Sequence, residues 1–155
     1  MIDPNFASEF ASASASDLAS DLEQVVDTMI ALTRLSRLDG AIIAGSESKE
    51  FYLSLRRRGF VRVATSSTFR MPRRQYAVGL IAAQDALTAL HQASAYLGAN
   101  AAVAVLIESR DGQVCMKVRE HLQQIGFRIE AGVRCHRGLV LSASRQGYAR
   151  MEAAA

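Results

Sequence analysis

Three short polar groups hold the side chains best placed to bind a ligand. Each closes an apolar run: Gly45-Ser46-Glu47 after AIIA (41–44), Thr65-Ser66-Ser67 after FVRVA (60–64), and Gln84-Asp85 after YAVGLIA (76–82). In sheets built from alternating strands and helices, ligands bind outside the carboxyl ends of the strands. The three groups are therefore expected on one sheet edge. A glycine turn that opens a helix presents backbone N–H groups and the positive end of the helix dipole, which suits phosphate or another small polar ligand. Gly45, Ser46, Glu47, Gln84 and Asp85 are accordingly the candidate binding residues. Against this, a phosphate cradle uses several glycines so that backbone can approach the ligand closely. This turn has one, and a plain turn capped by Ser46 or Ser48 is the simpler reading.

Nothing else in the chain forms a recognisable catalytic set. His91, His121 and His136 are dispersed, without an HxxE or HExxH spacing that would place metal ligands on one helix face. Ser142 and Ser144 lie in a strand pattern rather than a nucleophile elbow. Cys135 and His136 are adjacent, and neighbours on a strand point to opposite faces. Cys115 and Cys135 have no CxxC partner and read as packing thiols in a reducing compartment. No catalytic residue and no metal site is assigned.

The elements that must position the candidate residues follow from periodicity. Met1 to Ser16 is a small polar tract with alternating Ala and Ser that buries little, so residues 1–15 are expected to be a disordered or tag-like tail. From Ser16, Leu18, Leu22, Val25, Val26, Met29 and Leu32 recur at helical spacing, with acids early and arginines late to match the macrodipole. A helix over 16–38 is predicted. Its stripe leaves two alternatives open, packing on the sheet or pairing with a second copy as a homodimer through helix 16–38. A helix over 48–58 follows the AIIA strand, and one over 85–97 carries Asp85 as its N-cap. The stretch 101–107, AAVAVLI, is continuously apolar, as befits a strand covered on both faces. An amphipathic helix over 113–124 stops where Gly126 can take the left-handed C-cap conformation, and the rest reads as two antiparallel strands. The pattern predicts a three-layer α/β fold, a Rossmann-like, mostly parallel sheet with a C-terminal antiparallel hairpin, plus the N-terminal helix. Its 155 residues, half of them apolar, suit one domain spanning 16–150.

Charge is unevenly spread. Residues 1–50 carry nine acids against three bases, and since the chain totals +3 the remainder carries +9. Residues 51–84 hold seven arginines and no acid. Such a block can attract phosphate or an acidic surface, so nucleic acid is a conceivable partner. The chain has sixteen arginines against two lysines, however, and a general bias toward arginine is the preferred account. The apolar runs are too short to span a bilayer and the N-terminal residues show no basic-then-apolar signal pattern. A cytoplasmic location and no membrane partner are expected.

The strand VAVLIES, the helix after it, then LQQIGFRIEAGV and RGLVLSASR together resemble the C-terminal half of class I S-adenosylmethionine-dependent methyltransferases. The resemblance covers about two-thirds of the chain, by pattern rather than by diagnostic motif. It implies that 41–44 is the first strand, 60–64 the second, and that the last two strands form an antiparallel hairpin inserted into a parallel sheet. It also implies S-adenosylmethionine as cofactor, held at Gly45, Ser46, Glu47, Gln84 and Asp85. The departures fall on the binding groups. Ala44 stands near the place of the first strand's acid, the turn after it has a single glycine, and VRVATSS offers hydroxyls where the family has a ribose-binding acid. The third strand and its helix are also missing from the pattern. A degenerate or truncated member is expected, binding no cofactor and serving as a non-catalytic interaction or oligomerisation module. The alternative is a divergent S-adenosylmethionine-dependent methyltransferase or nucleoside-binding protein.

Overall fold

The computed structural model describes residues 20–65, 76–108 and 112–145. The predicted tail 1–15, Ser66 and Ser67 lie outside them. Helix α1 covers 20–33 of the described residues. Then come β1 (Ala41–Ala44), α2 (Ser48–Arg57), β2 (Val63–Thr65), β3 (Tyr76–Ala82), α3 (Ala86–Ser94), β4 (Leu97–Ile107), α4 (Gly112–Gln124), β5 (Phe127–Cys135) and β6 (Gly138–Arg145). The six strands form one sheet in the order β2-β1-β3-β4-β6-β5. Neighbours are parallel from β2 to β4, while β6 runs antiparallel to both β4 and β5. The layered α/β fold expected from periodicity is the one observed, and so is the inserted hairpin that the resemblance implies.

Both faces of the sheet are covered, and this is why its central strands show no polar alternation. In β1, Ala41 and Ile43 pack with α1 and α2, whereas Ile42 and Ala44 pack toward α3. In β4, Ala104 and Leu106 face the α1–α2 layer, while Val103, Val105 and Ile107 face the α3–α4 layer. All five are at most 3% exposed. Burying each large aliphatic side chain contributes about 1.5–3 kcal/mol, which makes this double-sided packing the main support of the strand edge where ligands would bind.

Several boundaries differ from the sequence expectation. α1 ends at 33 rather than 38, because Arg34 turns into the left-handed region at φ 54° and breaks the helix. Val25, Val26 and Met29 are fully buried among Phe51, Leu55, Val78 and Leu80. This part of the stripe packs on the sheet, the first of the two alternatives for helix 16–38. The second strand begins at Val63 rather than Phe60, since Phe60 is buried and its N–H closes α2 onto the Leu55 carbonyl at 3.1 Å. Gly98, Ala99 and Asn100 belong to a long β4, not to a loop after α3, because the pairing of β4 with β3 continues across a register shift to Tyr76 and Leu97. Asp85 does cap α3, accepting from the Thr88 N–H at 3.2 Å. Neither Ser46 nor Ser48 caps α2; Glu47 holds that position and makes no side-chain cap hydrogen bond.

The arginine block is partly explained by packing. Arg58 forms ion pairs with Glu23 and Asp27 of α1, and Arg57 lies 3.7 Å from Glu23. The acidic N-terminal segment and the basic second segment thus meet across the α1–α2 contact. Arg70, Arg73 and Arg74 lie outside the described residues.

Candidate functional site

Strand order reverses between β1 and β3, where β1 has β2 on one side and β3 on the other. The crevice for a ligand in an open α/β sheet lies at such a switch point. Gly45, Ser46 and Glu47 come to it from the β1–α2 turn, and Gln84 and Asp85 from the β3–α3 turn. The five candidate residues therefore do share one edge, with Thr65 ending β2 beside them.

Within that edge the two turns are pressed together. Gly45 has φ 119°, a conformation that L side chains rarely adopt. A Cβ on Gly45 would stand 2.6 Å from the Ala82 carbonyl carbon and 2.8 Å from the Ala83 Cβ. The single glycine thus admits the end of β3. The Glu47 N–H also points back, donating to the Ala82 carbonyl at 3.3 Å, so one of the amides that a ligand cradle would present is already used.

The side chains are committed as well. Arg137, in the two-residue turn between β5 and β6, forms an ion pair with Glu47 and a second with Glu108 at 2.5 Å. Because β5 is co-directional with β4, this hairpin turn falls on the carboxyl edge. From there Arg137 reaches past the ends of β4 and β3 to the β1–α2 turn. Its side chain is 16% exposed. Burial works against the guanidinium charge, but the Glu47 hydrogen bond and the carboxylate of Glu108 outweigh it and hold Arg137 above the ordinary arginine range. Gly138 serves the same strap: a Cβ there would meet the backbone of Ile107 and stand 3.0 Å from the Glu108 Cα. The second oxygen of Glu47, Oε2, is buried and has no hydrogen-bond partner among the described residues.

Asp85 and Gln84 are exposed on the rim. The Asp85 carboxylate accepts from the Thr88 hydroxyl at 2.5 Å and from the Thr88 N–H, and these bonds hold its pKa below the usual carboxylate range. It is occupied as a helix cap. Sequence reasoning named Gly45, Ser46, Glu47, Gln84 and Asp85 but missed Arg137, Glu108 and Gly138. The signal was the Arg-Gly pair in a hairpin turn that the parallel course of β4 and β5 brings to the ligand edge.

The other candidate polar groups are dispersed over the described residues. His91 and His121 lie between α3 and α4 with ring centroids 5.9 Å apart, and no cluster of three or more potential metal ligands occurs among the described residues. The His136 N–H donates to Gln24 Oε1 at 3.3 Å, and Cys135 Sγ lies 3.5 Å from Thr28 Oγ1, which ties the hairpin to α1. Beside this contact a cavity of about 680 Å³ is lined by the polar face of α1 and by His136; Glu23 and Asp27, two of its acids, are held by Arg58.

The strand order, the antiparallel hairpin and the helices on both faces define a class I methyltransferase-like fold. Solved structures agree. The precorrin-6y C5,15-methyltransferase of Geobacter metallireducens superposes with a TM-score of 0.59 at 10% identity, over 79% of this chain and 89% of that one. A tRNA (m1A58) methyltransferase of Aquifex aeolicus gives 0.54 at 11% identity, over 84% and 69%. A SAM-dependent O-methyltransferase of Thermotoga maritima gives 0.53 at 12% identity, over 96% and 67%. No family model matches the sequence, and no curated protein matches it. At such identities the likeness is one of fold.

Proposed function

We propose that this chain is a methyltransferase-fold protein whose strand-end site has been given over to internal contacts, and that it acts as a non-catalytic interaction module. The observation that carries the reading is the bridge from Arg137 to Glu47 and Glu108. S-adenosylmethionine is the cofactor the structural neighbours suggest, and the residues present do not fit it. Glu47, the acid nearest the turn, is neutralised by Arg137; Asp85 is spent on Thr88; and Gly45 admits the end of β3 instead of a ligand. Thr65 ends β2 with a hydroxyl where a carboxylate would grip ribose. Each charge-assisted hydrogen bond lost removes about 1.5–3 kcal/mol, roughly tenfold to a hundredfold in affinity. Two such losses move an ordinary micromolar ligand toward millimolar dissociation, too weak for turnover. Fold alone does not supply an activity.

Calorimetric titration with S-adenosylmethionine and S-adenosylhomocysteine tests this. The expected result is no saturable heat in the micromolar range. A low-micromolar dissociation constant, abolished by Glu47→Ala or Asp85→Ala, would instead establish the divergent methyltransferase or nucleoside-binding protein. The unit that acts is residues 16–150 as one domain. No helix among the described residues is long and apolar enough to cross a membrane.

A further inference from the structure

The sheet edge opposite the Glu47–Arg137 bridge, where β1 and β2 begin, carries a different kind of surface. Two of the largest exposed apolar side chains stand there: Leu38, 82% exposed, and Val61, 64% exposed. Hydrogen bonds hold the loops that bear them together. Arg62 donates to the Leu38 carbonyl at 3.0 Å, Arg56 donates to the Val61 carbonyl at 3.2 Å, and the Ala41 N–H donates to the Arg62 carbonyl at 2.9 Å. Arg37 lies over Gly59, within 3.4 Å of where a Cβ would be, and so joins the same patch. Arg34, Arg37, Arg56 and Arg62 are exposed, and none of them forms an ion pair with a described residue. The nearby acid, Asp39, is engaged with the Ser36 N–H at 3.1 Å.

We propose that this edge is a docking surface for an anionic lipid bilayer, with Leu38 and Val61 entering the interface and Arg37, Arg56 and Arg62 meeting the headgroup phosphates. Exposed aliphatic side chains on loops that also carry exposed arginines are complementary to a surface that is charged outside and apolar just beneath. A nucleic acid would use the charges but not the tips. A single strand would also call for exposed aromatic rings, whereas Phe60 is 8% exposed and Tyr52 lies beneath Arg56 at 6.0 Å. Docking on a surface needs no spanning helix, so the absence of one among the described residues bears only on insertion; the proposal departs here from the expectation of no membrane partner, which rested on the shortness of the apolar runs. The inference gives the interaction role a partner and rests on that part of the proposed function.

Each arginine near an anionic leaflet contributes roughly a fivefold factor in partitioning, so three give a preference of roughly a hundredfold over a neutral surface. The test is co-sedimentation of the full chain with phosphatidylcholine vesicles, with and without phosphatidylglycerol. Binding is expected on the anionic vesicles alone, and it should weaken as salt screens the charges. Leu38→Asp with Val61→Asp alters two side chains that are mostly exposed and outside the core, so the fold should persist by circular dichroism while vesicle binding falls roughly tenfold or more. Equal sedimentation with neutral and anionic vesicles would overturn the proposal, as would anionic binding that the two aspartates leave unchanged. Tighter binding to a duplex oligonucleotide that survives both substitutions would also overturn it, making the patch a polyanion surface. The crevice lies on the other sheet edge, so the calorimetric result and the vesicle result fail or succeed separately.

Discussion

Replacing Arg137 with alanine leaves Glu47 and Glu108 facing each other without the cation between them. An exposed ion pair contributes about 0–1 kcal/mol, and breaking a buried one costs about 3–5 kcal/mol. The side chain of Arg137 is 16% exposed, with Glu47 at 33% and Glu108 at 39%, so solvent screens part of the interaction and a value of about 2 kcal/mol follows. Glu47 would suffer most, since its Oε2 already lacks a partner among the described residues and the substitution removes the partner of its other oxygen. For a chain of 155 residues that is a fall in Tm of roughly 6 °C. Thermal unfolding followed by circular dichroism at neutral pH measures it. The double variant with Glu47→Gln should recover at least about 1 kcal/mol, because a neutral amide has no need of the guanidinium. An Arg137→Ala protein within about 0.5 kcal/mol of the parent, or an additive cycle, would refute the bridge as a structural element and reopen the crevice as a ligand site.

Gly45→Ala should be more damaging, by about 3 kcal/mol or more, because it combines a strained φ of 119° with backbone atoms of Ala82 that cannot move aside; denaturant unfolding with a midpoint close to the parent's would contradict the close approach. Met29→Ala should cost about 2–5 kcal/mol, since Met29 is fully buried against the sheet. With that stripe covered, sedimentation equilibrium at high micromolar concentration is expected to show a monomer; a dimer that persists in Met29→Ala would mean that another surface associates. Stability should also fall in acid through Glu23. The hydrogen bond from Arg58, only partly opposed by burial, lowers its pKa below 4.5 in the folded state, so its contribution is complete above that value and is lost as the pH drops through the folded pKa. Arg58→Ala should flatten this part of the pH–stability curve, and an unchanged curve would exclude the pair as its source.

Local chemistry made several parts of this protein legible in its sequence. AIIA and AAVAVLI had to be doubly covered strands because an unbroken apolar run has no face to give to water, and both lie between two helical layers. Asp85 announces a helix start that needs only Thr88 three residues on, and Gly126, at φ 90°, closes α4 by a rule that depends on glycine alone. Contacts between distant residues decided the rest. The stripe of α1 suits a partner helix or a sheet equally well, and only the packed structure sets Val25, Val26 and Met29 against β3 and β4. Leu97 continues the apolar periodicity of α3, yet it pairs with Tyr76 of β3, whose N–H donates to the Tyr96 carbonyl at 3.0 Å, and ladder hydrogen bonds outweigh one more helical position. Gly45 has the same form whether a ligand or the end of β3 fills the space where a side chain would be, and Glu47 is the same acid whether ribose or Arg137 stands beside it. Arg137 lies ninety residues from Glu47 in the chain. Only the parallel course of β4 and β5, which carries the hairpin turn to the carboxyl edge of the sheet, brings the two together.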